Sequence, residues 1–273
     1  MRIISEIISD LIAPTTVKEY IKKYHLSITL TKKIKYGGIL LNGQPVTVRA
    51  VAKNGDEIKL CFPTATNDTI VPMNIPITTL FEDDYVLAVV KPAGMPTHPS
   101  RGNNLPTLAN AIIGKYGVDF TFRSINRLDR DTAGIVLIAK DQMSAGKLSE
   151  AMKNRKFTKL YNCTVHGTPP ARGLINEPIR RESPDSIKRI VATDGKTAIT
   201  EYFVLEQLCD RAKCSVKIYT GRTHQIRVHM AHIGHPLIGD FLYGNRDSGI
   251  FDLKCVGLSF PHPESGEMIE IKI

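Results

Sequence analysis

The 273-residue sequence contains no tryptophan, and aromatic residues make up only 7% of it. Its five cysteines (Cys61, Cys163, Cys209, Cys214 and Cys255) are odd in number and scattered, with no pair at zinc-ligand spacing. That pattern excludes a disulfide scaffold and fits free thiols in a reducing compartment. No run of eighteen apolar residues occurs, so no membrane span is read. Glu6 and Asp10 interrupt the apolar N-terminus, which argues against a secretory leader. A cytoplasmic protein is expected. Also missing are a phosphate-cradling Gly-rich Lys-Ser/Thr loop, a His-Glu-x-x-His pair, internal repeats and low-complexity tracts.

What is present is positive charge. Thirty-six Lys and Arg stand against 27 Asp and Glu, a net +9 with pI near 9.3, which favours a polyanionic partner. The excess is uneven. Residues 1–66 hold ten basic and five acidic residues, more than half the net charge in a quarter of the chain. In that segment, residues 17–24 read as a short basic helix, and Leu30–Tyr36 as a second that carries Lys32, Lys33 and Lys35. Gly37-Gly38 ends it. Ile39–Leu41 runs as a strand into the Asn42-Gly43 turn, a strong hairpin signal. Val46–Val51 alternates as a further strand, and Asn54-Gly-Asp56 turns into Ile58–Phe62. Residues 63–72, polar with Pro63 and Pro72, read as a linker. The expected division is therefore 1–66, a small α+β module, and 67–273, the main domain.

The main part alternates strands with a few helices. Strands are expected over Tyr85–Val90, Ile135–Ala139, Lys159–Val165, Ala198–Leu205 and Ala212–Ile218. Helices are expected over Leu105–Tyr116, Ser144–Arg155 and Thr223–Ile233, the start of the last being equally readable as a turn. Without a strict βαβ rhythm, the pattern favours α+β with a mixed, mostly antiparallel central sheet and flanking helices.

Four segments are unusual for scaffold. Asp129 stands between Arg127 and Arg130, just before the Ile135–Ala139 strand. Such a carboxylate can stay ionised in a closing cleft and act as nucleophile or base; it could equally be one half of a turn ion pair. Lys159 and Tyr161 share one face of a strand. Tyr161 reads either as a half-buried strand aromatic or as a ring that stacks on a nucleobase and carries a proton. Thr220–His229 brings Arg222 and Arg227, either surface arginines or forks that hold a carboxylate. Gly239–Gly244 is a turn-rich loop. Two other chemistries fit less well. His229-x-x-His232-x-x-His235 is not metal-ligand spacing, because the third position has rotated off the helix face. Asp129-x-Asp131 lacks the preceding apolar strand of aspartate-nucleophile phosphatases.

Together these segments resemble the RluA family of RNA pseudouridine synthases. Asn126-Arg-Leu-Asp-Arg-Asp-Thr-Ala-Gly134 is similar to the family's His-Arg-Leu-Asp-x-x-Thr-Ser-Gly, with Asn126 for His and Ala133 for Ser. Lys159-Leu-Tyr161 matches its Lys-x-Tyr. Gly221–His229, Gly234-His-Pro236 and Gly239–Gly244 match its third motif. Lys91-Pro-Ala-Gly94, Gly173–Pro178 and His262-Pro-x-x-Gly266 also match, in order, across 75–273. Residues 1–66 resemble the alpha-L RNA-binding motif, with Ile28 where its Arg is expected.

The resemblance implies the pseudouridine synthase fold with an active-site cleft, no cofactor, no metal, and structured RNA as partner. A monomer is expected. Asp129 would be the essential carboxylate, Arg227 its ion-pair partner, and Tyr161 the stacking and proton-transfer group. Arg127 would fill the gap left by the flipped uridine. Lys159, Arg222, His224, Gln225, Arg180 and Arg181 would contact RNA near the site, and Lys32, Lys33 and Lys35 would contact it from the N-terminal module. Large-subunit ribosomal RNA is the expected substrate, with tRNA as the alternative. A non-catalytic RNA-binding protein on this scaffold is the reading from a different class.

Overall fold

Two apolar strands dictate the architecture. Val86–Lys91 and Ala133–Ala139 are buried along almost their whole length, and strands that are apolar at nearly every position need cover on both faces. They pair antiparallel, Val86 opposite Ala139 and Val90 opposite Ile135. The structure is a computed structural model and describes residues 2–24, 26, 31, 32, 34–62, 70–100, 105–244 and 249–273.

In the N-terminal part the elements are β1 (Arg2–Ile7), β2 (Thr15–Thr16), α1 (Val17–Tyr20), β3 (Ile39–Leu41), β4 (Gln44–Pro45), β5 (Val51–Ala52) and β6 (Glu57–Phe62). A 3-10 turn over Ile21–Tyr24 extends α1. The sheet order is β1-β6-β3-β4, with β2 and β5 paired separately. Asn42 and Gly43, both at positive φ, form the tight turn between β3 and β4, as the Asn-Gly signal requires. Of the expected second helix, Thr31, Lys32 and Ile34 are helical; Leu30 and Lys33 lie outside the described residues. So do Ile28 and linker residues 63–69.

One expected strand is absent. Val46–Val51 is loop except at its last residue. Its alternation is real, because Val46, Val48 and Ala50 pack on the module's core. The backbone bonds elsewhere, however: Val48 and Ala50 carbonyls accept from the Lys18 and Val17 N–H groups. Those are among the unpaired donors at the start of α1, so the segment serves the helix rather than a ladder.

The larger part runs β7 (Thr78–Glu82), β8 (Val86–Lys91), α2 (Leu108–Tyr116), β9 (Ala133–Ala139), α3 (Gln142–Lys153), β10 (Thr158–His166), β11 (Arg172–Ile175), β12 (Ile179–Arg181), β13 (Arg189–Val191), β14 (Thr200–Gln207), β15 (Arg211–Ile218), α4 (Gln225–His232), β16 (Leu253–Pro261) and β17 (Met268–Lys272). The main sheet follows β11-β14-β15-β10-β16-β9-β8-β7, with β17 added on β16. Among the described residues, only the β9–β16 contact is parallel. The fold is thus α+β with a mixed, mostly antiparallel sheet. Helices α2 and α3 give Leu108, Ile112, Ile113 and Leu148 to the same core as β8, β9 and β10. Thr107 and Asp141 cap their N-termini, satisfying otherwise unpaired N–H groups. A separate core lies within residues 8–62, and Met143 of α3 packs against it.

The β9–β16 contact holds the strand that follows Asp129. At Gly134, φ is +116°, and an added Cβ would stand 2.2 Å from the Cys255 carbonyl oxygen. Only glycine meets both conditions. Gly134→Ala should destabilise the protein by about 2–4 kcal/mol, read as a lowered denaturant midpoint. An unchanged midpoint would show that the two backbones do not need this approach.

Candidate active site

The Asp129 turn is held by groups outside it. The buried Asn126 side chain donates to the Ile135 carbonyl (2.9 Å) and accepts from the Leu137 N–H (2.8 Å), stitching the segment to β9. Buried Thr97 donates to the Leu128 carbonyl (2.8 Å) and accepts from its N–H (3.2 Å). Lys91, fully buried at the end of β8, donates from Nζ to the carbonyls of Pro92 (2.8 Å), Met95 (2.6 Å) and Arg130 (3.0 Å). Burial presses its pKa down to about 8, against the pull of Asp131 and Asp129. With all three N–H groups satisfied, the ammonium still suits neutral pH.

The turn does contain an ion pair, but one that spares Asp129. Arg130 grips Asp131 through Nε (2.9 Å) and Nη2 (3.0 Å). The Asp129 carboxylate, half-buried, has no hydrogen bond or ion pair among the described residues. The Thr132 hydroxyl, one turn on, is the only buried side-chain polar atom among them without a partner.

Asp129 lines a cleft of about 360 Å³ with Arg127, Thr132, Lys159, Tyr161, Arg222, His224, Gln225 and Arg227. All the site residues expected from the three motifs therefore meet in one cavity. Lys159 and Tyr161 point into it from β10, whose pairing with β16 shifts register between Leu160 and Tyr161; such a bulge re-aims side chains. Burial raises the Tyr161 pKa well above its ordinary value, and Cys255, its hydrogen-bond partner, and the Asp129 charge add to the rise. The phenol therefore stays protonated. Lys159 is only 7% exposed and has no hydrogen-bond or ion-pair partner among the described residues. Burial lowers its pKa, with the Cys255 thiol opposing.

Two expectations need correction. Arg227 does not fork onto Asp129: its Nε and Nη2 bind the Asp240 carboxylate at 2.7 and 2.6 Å, with both side chains almost wholly buried. Burial alone would raise the Asp240 pKa; the guanidinium overrides it and holds the carboxyl below its ordinary range. Asp129 acts on Arg227 only through space. The rings of Tyr243, Phe251 and Phe241 lie 5.1, 5.1 and 5.6 Å from the guanidinium carbon. Gln225 is likewise not available to RNA. It is buried, its oxygen accepts from the Thr220 hydroxyl (2.7 Å) and Arg222 N–H (3.0 Å), and its amide donates to the Ile199 carbonyl and Thr200 hydroxyl. All four hydrogen-bonding positions are used to shape the loop.

Other expected residues lie outside the cleft. Arg180 and Arg181 sit on the β12–β13 hairpin, where Arg180 binds Asp194 and both turn guanidinium N–H groups to the hairpin's own carbonyls. Lys32 is exposed and Lys35 partly so, both in the N-terminal part, where a groove runs between α1 and Glu150 of α3. His229 is a core residue with Nδ1 on the Thr200 hydroxyl (2.8 Å) and Nε2 on the Glu177 carbonyl (2.9 Å). Among the described residues no three His, Cys, Asp or Glu side chains converge as a metal site, and no helix is long and apolar enough to cross a membrane. Sequence reasoning missed Asp240, Tyr243 and Thr97. Asp240 had a signal, a carboxylate just after Gly239 in a loop already singled out; Thr97 had none.

Comparison with known proteins points to the family that the motifs resemble. The profile described as RNA pseudouridylate synthase matches residues 85–232. The chain is 39% identical over 261 residues to the uncharacterized RNA pseudouridine synthase YjbO of Bacillus subtilis, covering 92% of each chain. It is 33% identical over 265 residues to the ribosomal large subunit pseudouridine synthase D of Xanthomonas campestris, covering 88% of this chain and 78% of that one. Among solved structures, human RNA pseudouridylate synthase domain containing 1 superposes with a TM-score of 0.62 at 26% identity, over 72% of this chain and 83% of its own. The chain belongs to the RluA-type RNA pseudouridine synthases, enzymes that isomerise uridine within RNA.

Proposed function

We propose that this enzyme modifies large-subunit ribosomal RNA, with Asp129 as the essential carboxylate. The observation that carries the catalytic assignment is the unmatched Asp129 carboxylate in a cleft also lined by Tyr161, Lys159 and Arg227. Relatives that act on the large ribosomal subunit support the substrate.

The reaction exchanges the C1′–N1 bond of uridine for a C1′–C5 bond. N1 gains a proton and C5 loses one, so atoms and electrons balance within the nucleotide and no redox partner is needed. Asp129 supplies the charge that assists departure of uracil from C1′. Tyr161, protonated and against the base, stacks on the ring and serves the proton transfer at C5. Arg127, exposed at the cleft rim, takes the place of the flipped base in its stack. Arg222 and Lys159 hold phosphate oxygens. Arg227, neutralised by Asp240, fixes the electrostatic setting of Asp129 rather than pairing with it. The N-terminal 1–66 module, with Lys32, Lys33 and Lys35, anchors the RNA backbone and contributes affinity rather than sequence readout; Arg180 and Arg181 add to this from their hairpin. The protein acts as a cytoplasmic monomer without metal or cofactor.

Asp129→Asn should lower the rate of pseudouridine formation by more than about 10³-fold while leaving RNA binding and thermal stability intact; turnover near the wild-type rate would remove Asp129 from the chemistry. Arg227→Met should destabilise by about 3–5 kcal/mol, because Asp240 is left as an unpaired buried charge. The double variant Arg227→Met/Asp240→Leu should recover most of that stability but not the activity. Equal stability of the single and double variants would show that the pair is not the structural tie. Changing Lys32 and Lys35 to Gln should weaken binding of ribosomal RNA fragments. It should also reduce the slope of log K against log salt by about one for each phosphate that is no longer neutralised. An unchanged slope would take the module off the RNA. Pseudouridine mapping of ribosomal and transfer RNA from cells with and without the protein identifies the substrate, and loss confined to tRNA would overturn the ribosomal assignment.

A further inference from the structure

His224 breaks the local rules of the helix it begins. It is the N-cap of α4, yet its backbone is left-handed (φ 56°, ψ 20°) and its side chain makes no capping hydrogen bond. A non-glycine residue in this region carries backbone strain, which tends to collect where a side chain must be aimed. Here the ring is aimed at Tyr243: Nδ1 lies 2.8 Å from the phenol oxygen, and the rings meet edge to face at 76°.

The phenol oxygen has a second partner, the Arg189 backbone N–H of β13, at 2.8 Å. A backbone N–H can only donate, so one acceptor site of Tyr243 is filled. If His224 Nδ1 also donated, the hydroxyl hydrogen of this partly buried phenol would be left without a partner among the described residues. If instead the hydroxyl donates to Nδ1, every group in the chain is used once. Nδ1 is then the acceptor, and the proton of a neutral imidazole sits on Nε2, across the ring from Tyr243. Nε2 has no partner among the described residues, and His224 lines the cleft with Asp129.

The environment supports neutrality. Burial lowers the His224 pKa; Asp129 and Asp240 oppose this, and Arg227 and Arg189 reinforce it. Tyr243 is itself anchored, because its backbone N–H donates to Asp240 (3.1 Å), the partner of Arg227. An uncharged donor at a helix N-terminus can polarise an acceptor oxygen without forming an ion pair with a nearby carboxylate.

We propose that Tyr243 fixes His224 as the Nε2–H tautomer, and that this N–H hydrogen-bonds an acceptor oxygen of the target nucleotide, positioning the uridine against Asp129. The nucleotide half rests on the pseudouridine synthase reading; the tautomer half does not. The oxygen is a uracil carbonyl or a flanking phosphate oxygen, since both present the same acceptor chemistry.

The first test is nitrogen-15 NMR of histidine in the full-length protein without RNA, near neutral pH, with His224→Gln to assign the signal. The expected spectrum has Nδ1 unprotonated and Nε2 protonated, with the bias lost in Tyr243→Phe; protonated Nδ1 overturns the proposal. The second is kinetic. A glutamine amide can reach the position of Nε2, whereas an asparagine amide mimics Nδ1. His224→Asn should lower kcat/KM about tenfold, the scale of one hydrogen bond, and His224→Gln should lose clearly less. Equal losses overturn the donor role. The third uses RNA with 2-thiouridine, 4-thiouridine or a flanking methylphosphonate at the target. The penalty of His224→Ala should shrink with whichever substrate lacks the accepting oxygen, and an undiminished penalty with all three overturns the contact. Wild-type protein that forms no pseudouridine would strike the enzymatic reading, while the NMR result would still decide the tautomer.

Discussion

The buried Arg227–Asp240 pair is the interaction on which the rest of the site depends. A fork-to-fork ion pair with both partners out of water is geometrically exacting, since its attraction offsets desolvation only when the hydrogen bonds are well made. Asp240 meets that demand by also accepting the Leu242 and Tyr243 backbone N–H groups, which fixes the turn after Gly239. Tyr243 then reaches both the β13 backbone and His224. One carboxylate thus ties α4, whose first residues line the cleft, to the 239–244 loop and the β12–β13 hairpin. The opposite wall, the Asp129 turn, is tied separately through Lys91, Thr97 and Asn126.

Asp240 neutralises Arg227, so the positive charge that the cleft presents comes from Arg127, Lys159 and Arg222. Arg130 and Asp131 cancel in the same way. Cleft groups without a partner among the described residues include the Asp129 carboxylate, the Lys159 ammonium, the Thr132 hydroxyl and His224 Nε2. Leaving charged and polar groups buried without partners is costly, and natural proteins keep such arrangements where a ligand completes them. On the reading proposed above, a nucleotide offers acceptors for Lys159 and Thr132 and, at its sugar and base, an electrophile for Asp129. The cleft is organised for a partly anionic guest whose reacting atoms are themselves neutral.

Much of this was legible in the sequence, for physical reasons that differ by element. Strands β8, β9 and β10 were visible because burial on one or both faces leaves a continuous or alternating apolar record, and the β3–β4 turn because Asn-Gly suits positive φ. Val46–Val51 misled because alternation reports which side chains face a core, not where the backbone hydrogen bonds go. β1, β12 and β13 are short or open to solvent and leave weaker patterns. At the site, Asp129, Tyr161 and Arg227 were found as a group, but the partner of Arg227 was not. Asp240 is thirteen residues from Arg227, and nothing in residue type distinguishes a fork that holds one carboxylate from a fork that holds another. Gln225 shows the same blindness: polarity in a motif does not tell whether a group faces the ligand or the loop.

Charge placement separates the two tasks of RNA recognition. Around the cleft, Arg227 is matched by Asp240 and Arg130 by Asp131. More than half of the chain's net charge lies in residues 1–66, a part with its own core that touches the catalytic part through Met143 of α3. On the reading proposed above, phosphate contacts there add affinity that falls as salt rises, but they carry no base information. On the same reading, the attraction supplied by residues 1–66 and the chemistry at Asp129 lie on different parts of the fold, and no side chain among the described residues pairs with that carboxylate.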